Sequence, residues 1–299
     1  MRYNDDAAMD YYARPPETLV GKTCLITGAT DGHGRALARL VAERGARLWI
    51  LGRSEARCRD AQREIAEAVG EPPRVLLCDL ASLAQVERAA AEFLAAGEPL
   101  HLLINNAGLV RRRREESVDG VELTLAVNYL AHFALTLRLL PRLRASAPAR
   151  ILNISSEGHR IGRLRLDDMP YRRRYGFLGA YNRSKLAQIY FTRELARRLE
   201  GTGVTAVAVD PGPIASGIAG DNPGLIAALA RPLIRRYFPP PAVAAQSALE
   251  LAVKGDIADL QGAYFHKRAR KEPRLDRDPE LGAKLWAWSV DKAGVDLDP

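Results

Sequence analysis

Residues 27–34 read TGATDGHG and lie between a short apolar run and a stretch with helical periodicity. One glycine permits a tight turn after a strand, and two more let the backbone approach a ligand closely. A helix that begins at this turn directs its first amides and the positive end of its dipole at an anion. The stretch therefore predicts a strand, a phosphate-binding turn and a helix, which together form the first unit of an α/β fold.

The rest of the chain repeats this unit, because short β-rich apolar runs alternate with longer helical patterns from residue 22 onward. Such alternation is typical of a parallel sheet that is covered by helices on both faces. We predict a single α/β domain with a doubly wound, Rossmann-like sheet of seven strands, in the order 3-2-1-4-5-6 with the seventh at the edge. The predicted strands are 23–27, 47–52, 74–78, 101–105, 150–155, 204–209 and 262–266, and the predicted helices are 34–44, 54–69, 82–96, 121–144 and 180–200.

Three segments interrupt the alternation. Residues 1–20 predict an irregular N-terminal arm, followed by one domain over 21–299. Residues 157–178 and 213–240 follow the carboxyl ends of strands five and six, where open α/β sheets bind ligands. We expect 157–178 to form a substrate loop and 213–240 a lid region. The lid would cover an apolar substrate with the apolar face of a helix, or that face would dock on the body of the protein. The residues of this face are Leu225, Ile226, Leu229, Leu233 and Ile234.

The composition argues against several classes of protein. A chain of 299 residues that is 47% hydrophobic can bury a substantial core. No apolar run approaches the roughly 20 residues of a membrane span, so none is expected. The N-terminus lacks the basic start and apolar stretch of a secretory signal, which favours a cytoplasmic location. The three cysteines, Cys24, Cys58 and Cys78, suit neither a disulfide framework nor a zinc site, and we expect no metal.

The charge is strongly basic, with a formal net charge of +8 and 37 arginines among the 44 basic residues. The arginine tracts at 111–114 and 172–174 raise the alternative of a nucleic-acid patch. They lack interleaved aromatic residues and a recognisable nucleic-acid module. An anionic small molecule accounts for the charge more simply, so we expect no nucleic-acid partner.

The choice of dinucleotide is predicted from the end of strand two, which reads Leu51-Gly52-Arg53-Ser54. An acidic residue here would bind a ribose 2′-hydroxyl, whereas the planar guanidinium of arginine suits a 2′-phosphate. Arg53 therefore favours NADP(H) over NAD(H). Two alternatives stay open: Arg53 solvates a loop, or Glu55 turns inward.

A proton-transfer pair is indicated by Tyr181 and Lys185, which form the pattern Y-x-x-x-K on a strongly helical stretch. This spacing places the phenol and the ammonium on one face of the helix. A phenol is mostly protonated at neutral pH and can donate a proton, while a nearby cation favours the phenolate. The same group can thus act as acid or base.

Six motifs together resemble the short-chain dehydrogenase/reductase superfamily over about residues 20–265. They are TGATDGHG at 27, NNAG at 105–108, Asn128 within VNYLAHF, NISS at 153–156, YNRSK at 181 and DPGPIAS at 210. Within the superfamily the chain is most similar to the retinol-dehydrogenase-like branch. The features behind this are SSEGHRIGRL after strand five, the spacing of 25 from Ser156 to Tyr181, LAQIYFTRELARRL after the lysine and LWAWSVDKAG near the C-terminus.

The resemblance implies roles for four catalytic residues. Tyr181 would transfer the proton, and Lys185 would lower its pKa and hold the nicotinamide ribose. Ser156 would bond the substrate oxygen, with the adjacent Ser155 as the alternative, and Asn128 would support a water-linked proton relay. The expected cofactor-binding residues are Gly28, Thr30, Asp31, Gly32, His33, Gly34, Arg53, Asp79, Leu80, Asn106, Ala107, Gly108, Tyr181, Lys185, Pro211, Gly212, Ile214 and Ser216.

His33 departs from the family pattern, which usually has an aliphatic residue at this position. Its ring would bond a phosphate oxygen, approach the substrate or only fill space. His132 and His159 are expected to pack or to make polar contacts rather than to act as catalytic acids.

These features predict an NADP-dependent oxidoreductase that moves hydride between nicotinamide and a carbonyl or alcohol carbon. The expected substrate is an apolar small molecule of isoprenoid, steroid-like or aromatic polyketide type, and ketone or aldehyde reduction is the expected direction. A catalytically silent, nucleotide-binding regulatory protein of the same fold is the alternative. The resemblance is also compatible with a homo-oligomer.

Overall fold

The computed structural model describes residues 18–212, 239–275 and 278–295, and their strands form one sheet. The strands are β1 (Thr23–Thr27), β2 (Arg47–Gly52), β3 (Arg74–Leu77), β4 (Leu102–Asn105), β5 (Ala149–Ile154), β6 (Val204–Asp210), β7 (Tyr264–His266) and β8 (Ala269–Lys271). Their order is β3-β2-β1-β4-β5-β6-β7-β8, and every pair from β3 to β7 is parallel. The predicted doubly wound order is therefore confirmed.

The predicted count of seven strands is wrong by one, because β8 pairs antiparallel to β7 at the edge of the sheet. Its sequence, Ala-Arg-Lys, is exposed throughout and has no apolar alternation that would indicate a strand. The strand forms because the outer edge of β7 presents unpaired backbone groups, which a short polar segment can satisfy.

Seven helices cover the sheet within the described ranges. They are α1 (Gly32–Glu43), α2 (Glu55–Val69), α3 (Leu83–Ala95), α4 (Leu123–Ala145), α5 (Phe177–Arg198), α6 (Pro241–Val253) and α7 (Leu281–Ala293). The five predicted helices are all present, with ends that differ by no more than three residues. The strand–helix alternation does not predict α6 and α7. The arm up to residue 17 and the segment 213–238, which holds most of the predicted lid, lie outside the described residues.

The sheet separates two apolar cores, and β1 contributes to both. Leu25 enters the core formed with α3, α4, α5 and α7, whereas Cys24 and Ile26 enter the core formed with α1 and α6. This division follows from the alternation of side chains along a strand that is buried on both faces. Cys24, Cys58 and Cys78 are buried and unpaired.

Helix α4 contributes many side chains to the first core and contains a π-helical segment, Ala126–Leu130. Among the described helices it alone has the length and apolar composition to cross a membrane, and 94% of its apolar window is buried inside the fold. That burial accounts for its composition, because a helix that is hydrophobic on all sides is typical of the centre of a large core.

The start of α4 depends on the carboxylate of Glu122, which is fully buried. It accepts hydrogen bonds from the amides of Thr124 at 2.9 Å and Leu125 at 3.0 Å. It also lies 3.8 Å from the guanidinium of Arg183 on α5, which is 3% exposed. One side chain therefore caps α4 and fixes it to α5.

The substitution Glu122→Ala tests this junction. It removes the cap of α4 and leaves the buried Arg183 charge without its carboxylate, so we expect the free energy of unfolding to fall by about 2–4 kcal/mol. Urea denaturation measures the change. Glu87→Ala is the control, since the Glu87 carboxylate is 65% exposed and 3.4 Å from Arg138, and such a pair contributes less than about 1 kcal/mol. Equal, small losses in the two variants would contradict the assignment.

Candidate active site

The carboxyl ends of the parallel strands border a cleft of about 860 Å³. Its lining includes nearly every predicted site residue in the described part of the chain: Gly28, Thr30, Asp31, Gly32, His33, Gly34, Arg53, Asp79, Leu80, Asn106, Ala107, Gly108, Ser156, Tyr181, Lys185, Pro211 and Gly212. Asn128 is fully buried behind the cleft. Ile214 and Ser216 lie outside the described residues.

The turn after β1 forms a cradle that suits a phosphate. A Cβ atom at position 34 would lie 2.2 Å from Asn106 Nδ2 and 2.2 Å from the carbonyl oxygen of Gly28, so only glycine fits. Gly28 and Gly32 have φ values of +66° and +48°. Asp31 caps α1 by accepting the Gly32 amide at 2.7 Å. The other amides of the first turn have no partner inside the helix, which makes the turn fit the pyrophosphate of a dinucleotide.

The ring of His33 fixes Asn106 within this cradle. Asn106 Nδ2 donates to the carbonyl of Thr27 at 2.8 Å, so its Oδ1 atom accepts from His33 Nδ1, also at 2.8 Å. Burial lowers the pKa of His33, and the charge of Lys185 lowers it further, against the hydrogen bond to Asn106 and the backbone of Ala244. The ring is therefore neutral at neutral pH and orients the asparagine.

Two arginines that follow β2 line the cleft: Arg53, directly after the strand, and Arg57, in the first turn of α2. Glu55 does not turn inward: its side chain is 61% exposed and lies 3.1 Å from Arg59. At the end of β3, burial and then the charge of Asp79 raise the pKa of the Cys78 thiol to about 12. A thiol this weakly acidic is a packing group rather than a nucleophile.

The structure brings Tyr181, Ser156 and Lys185 together on one side of the cleft. All three side chains line the cleft, hydrogen bonding by Ser156 lowers the pKa of Tyr181, and Lys185 Nζ lies 5.6 Å from the centre of the Tyr181 ring. Lys185 Nζ donates to the carbonyl of Ile154 at 2.8 Å and to Gln188 Oε1 at 3.1 Å. Two of its three N–H groups are thus held by the protein.

The two adjacent serines have different surroundings. Ser155 is 3% exposed, and its hydroxyl donates to the backbone carbonyl of Lys185 at 3.3 Å. Ser156 accepts the Gly158 amide at 3.2 Å, and its hydrogen bonding lowers the pKa of Tyr181. The geometry therefore brings Ser156, the serine chosen from the family spacing, to the phenol.

Burial sets the acid–base properties of the pair. It raises the pKa of Tyr181, as does the negative charge of Asp210, against the hydrogen bond from Ser156. Burial lowers the pKa of Lys185 to about 8, and Asp210 opposes this shift. At neutral pH the phenol therefore holds a proton that it can donate, while the lysine is close to its titration range.

Asn128 holds the segment after β4. Its Oδ1 atom accepts from the Leu109 amide at 2.8 Å, while its Nδ2 atom donates to the Leu109 carbonyl at 3.0 Å and to the Ser184 hydroxyl at 3.0 Å. Both ends of the amide are thus engaged by Leu109 and Ser184. A part in a proton relay stays a prediction.

Asp210 is a residue that the sequence analysis missed. Its Oδ2 atom accepts from the Glu157 amide at 2.8 Å, His266 Nδ1 at 2.8 Å and the Tyr264 hydroxyl at 3.3 Å, and its Oδ1 atom accepts from the Gly212 amide at 2.8 Å. It thereby fixes the segments after β5 and β6 at once. An acidic residue at the end of an apolar strand, directly before Pro-Gly, is the signal that points to it.

Glu157, Asp210 and His266 also place three potential metal-ligand atoms within 4.8 Å of one another. Asp210 Oδ2 already accepts three hydrogen bonds, among them the one from His266 Nδ1. These hydrogen bonds join the three residues at the end of the sheet, and the absence of a metal stays a prediction.

One wall of the cleft belongs to the predicted substrate loop, and Arg183 anchors it. Arg183 donates to the carbonyls of Asp168 and Met169, each at 2.9 Å, and its guanidinium lies 4.4 Å from the centre of the Tyr171 ring. These contacts bury a charge beneath the loop and hold its backbone.

A second set of contacts joins the same loop to the segment after β4. Arg114 donates to the Pro170 carbonyl at 3.0 Å, and the Tyr175 hydroxyl donates to the Arg111 carbonyl at 2.7 Å. The loop is thus a preformed wall. Its apolar side chains Phe177 and Leu178 line the cleft and are 43% and 60% exposed.

Comparison with known proteins agrees with this geometry. A family model described as short chain dehydrogenase matches residues 22–223. Retinol dehydrogenase 12 of Mus musculus is 41% identical over 280 residues, covering 93% of this chain and 88% of the relative. Retinol dehydrogenase 13 of Homo sapiens is 37% identical over 287 residues, covering 93% and 86%.

Solved structures show the same architecture. The crystal structure of an uncharacterized protein from Mycobacterium paratuberculosis matches with a TM-score of 0.73 and 31% identity, covering 94% of this chain and 97% of that one. A short chain dehydrogenase from Shigella flexneri, solved with NADP, matches with a TM-score of 0.66 and 25% identity, covering 85% and 100%.

The effect of Asp210 can be measured on the ammonium itself. Asp210→Asn removes a negative charge that favours the protonated lysine, so we expect the pKa of Lys185 to fall by at least about 0.5. The chain has seven lysines, and ¹³Cε labelling with NMR titration follows each one, with Lys185→Arg identifying the signal. Asp256→Asn is the control, because this exposed carboxylate also accepts a backbone amide, at 2.8 Å. A Lys185 pKa that is unchanged or higher in Asp210→Asn would contradict the assignment.

Proposed function

Because the chain belongs to the short-chain dehydrogenase/reductase family, in its retinol-dehydrogenase-like branch, we propose that it is an NADP-dependent reductase of carbonyl groups on apolar small molecules. That it is an oxidoreductase with a nicotinamide cofactor follows from the family. The preference for NADP, the substrate and the direction are the proposal.

The single observation that carries the proposal is that Tyr181, Ser156 and Lys185 line one cleft, with Lys185 Nζ 5.6 Å from the centre of the Tyr181 ring. When bound, the nicotinamide supplies or accepts the hydride. Ser156 Oγ would donate a hydrogen bond to the substrate oxygen and polarise the carbonyl. Tyr181 Oη would then donate its proton to the same oxygen. Lys185 Nζ would orient the cofactor beside the phenol.

The protonation of the phenol supports the proposed direction. Burial raises the pKa of Tyr181, so the group is a proton donor at neutral pH, as reduction requires. Oxidation would need the phenolate as base, and in this structure Asp210 also disfavours that form. The electrostatics of the site thus support reduction.

The substrate class is supported by the cleft and by the names of the relatives. The two relatives described above are retinol dehydrogenases, which act on an apolar isoprenoid alcohol. In this chain Leu109, Val110, Phe177 and Leu178 line the cleft. An isoprenoid aldehyde is therefore the first candidate, with steroid-like and aromatic polyketide ketones next.

The regulatory alternative requires a site without turnover, but the chain keeps Tyr181, Ser156 and Lys185 in one place. A cytoplasmic location, the absence of a membrane span, a homo-oligomer and the absence of nucleic-acid binding stay predictions. Cell fractionation tests the location and the association with membranes. Light scattering of the purified protein tests the oligomeric state.

Tyr181→Phe tests the chemistry. The change removes the phenol proton, and general acid catalysis typically contributes about 10²- to 10⁴-fold, so NADPH oxidation with a panel of apolar aldehydes and ketones should slow by at least about 10²-fold. The dissociation constant of NADPH, from fluorescence, should stay within about threefold. Near-normal turnover would exclude Tyr181 as the acid, whereas a wild type that binds NADPH but turns over no carbonyl would favour the regulatory alternative.

Arg53→Ser tests the cofactor preference. Loss of a charged hydrogen-bond partner costs about 1.5–3 kcal/mol, so NADPH affinity should fall about 10- to 100-fold while NADH affinity changes little. Arg59→Ser is the matched control, because Arg59 lies on α2, which begins just after Arg53, is 67% exposed and pairs with Glu55. Equal dissociation constants of the wild type for NADPH and NADH would overturn the preference.

A further inference from the structure

Three buried polar side chains beside the cleft have no part in the proposed reaction: Thr27, His132 and Gln188. Their exposed fractions are 0%, 1% and 1%, and none of them lines the cleft. Polar groups this deeply buried need hydrogen-bond partners, and the partners here form one continuous set.

Gln188 connects Lys185 to the backbone of α4. Its Oε1 atom accepts from Lys185 Nζ at 3.1 Å, and its Nε2 atom donates to the carbonyl oxygen of Asn128 at 2.7 Å. An ammonium can only donate and a carbonyl can only accept, so both ends of the Gln188 amide are assigned. Lys185 and Gln188 are three residues apart on α5, which places them on the same face of the helix.

His132 meets the same carbonyl from the other side. Its Nδ1 atom lies 3.1 Å from the Asn128 oxygen and therefore carries the ring hydrogen. Its Nε2 atom lies 2.9 Å from the hydroxyl oxygen of Thr27 and accepts from it. Burial lowers the pKa of His132 to about 3, so the ring stays neutral and this arrangement holds throughout the neutral range.

Thr27 completes the connection to the cofactor segment. Its hydroxyl oxygen accepts from the amides of Asn106 at 2.9 Å and Ala107 at 3.0 Å, which leaves the hydroxyl hydrogen for His132. The hydrogen bonds therefore run without a break from the Lys185 ammonium to the residues that line the cleft after β4.

We propose that Gln188 and His132 are positioning residues that hold the Lys185 ammonium and the segment 106–108 in one fixed relative geometry. The inference rests on the proposed function for the role of Lys185. Gln188 acts on the ammonium directly, through its acceptor oxygen. His132 acts through Asn128 and Thr27, so its substitution reaches the cofactor segment first.

The charges around Lys185 explain why a neutral acceptor matters. Tyr181 faces it from α5, Asp210 from β6, His33 from α1 and His132 from α4. Of these four groups only Asp210 carries a negative charge, and the protonated, cationic form of both histidines is disfavoured. Apart from that carboxylate, the buried ammonium depends on the oxygens of Ile154 and Gln188.

The first test is the NMR titration of Lys185 in the ligand-free full chain. Gln188→Leu removes an acceptor that favours the ammonium, so the pKa of Lys185 should fall by about 1, a tenfold change in proton affinity. Gln188→Glu keeps an acceptor and adds a negative charge, so the pKa should rise. Thr192→Val is the matched control, because Thr192 is 1% exposed and lies one turn further along α5. Its hydroxyl accepts from Asn153 and donates to the backbone carbonyl of Gln188, so the Gln188 side chain keeps both of its partners and the Lys185 pKa should stay within about 0.2.

The second test measures NADPH dissociation constants. His132→Leu breaks the connection to Thr27 and should weaken NADPH binding by at least about fivefold, equivalent to one lost hydrogen bond. Thr136→Val is the control, since Thr136 is fully buried one turn further along α4 and bonds Asn105 at 2.9 Å. It should change the NADPH dissociation constant by less than about twofold.

The outcomes separate the inference from the proposed function. A Lys185 pKa that is unchanged in both Gln188 variants, or that moves equally in Thr192→Val, would overturn the role of Gln188. Equal effects of His132→Leu and Thr136→Val on NADPH affinity would overturn that of His132. If Gln188→Leu does not fold, the near-isosteric Gln188→Glu decides the question alone. The titration needs no turnover, so an inactive protein with the expected pKa changes would sink the proposed reaction and leave the role of Gln188 standing.

Discussion

The site depends on the hydrogen bonds that the Thr27 hydroxyl makes. This hydroxyl lies at the end of β1, next to β4, where the crossover connections of the sheet reverse and a cleft must open. By accepting two amides from the segment after β4, it joins the two strand ends that border the cleft. Its hydrogen then turns toward His132 in the first core. Through hydrogen bonds, this single small side chain thus connects the cradle for the phosphates to the inner helix α4. Helix α4 in turn connects it to the face of α5 that carries Tyr181.

Most of the fold was predictable because the pattern of buried strands is local. Seven of the strands are apolar runs of the kind that a sheet buried on both faces requires, and the handedness of crossovers then limits their order. β8 was not predictable, because Ala269–Lys271 is polar and exposed and pairs only through backbone groups that β7 offers. Helix α6 has few polar positions, so its periodicity is weak; it is recognised only by its burial against α1 and the sheet.

The candidate site was predictable where a residue type and its spacing together define a chemical task. Tyr181 and Lys185 are separated by one helical turn, and Ser156 follows an apolar strand, so the structure finds them in one cleft. The roles of Asp210 and Gln188 could not be assigned in this way, because each joins groups from different elements that only tertiary packing brings together. Asn128 shows the reverse case: the motif identifies the residue, but its amide is used to hold the backbone of Leu109.

The burial of Lys185 has a consequence for how the stability of the protein varies with pH. Its pKa is about 8 in the folded chain against an ordinary value of 10.5. Between these values the unfolded chain binds one proton more than the folded chain, so this contribution makes the protein more stable as the pH rises from about 8 to about 10.5. Below pH 8 both forms are charged, and burying the ammonium costs the folded state about 3 kcal/mol. A ligand that accepts a hydrogen bond from Nζ relieves part of that cost. The affinity of the protein for such a ligand would then decline as the pH passes above 8, while the ligand-free protein becomes more stable.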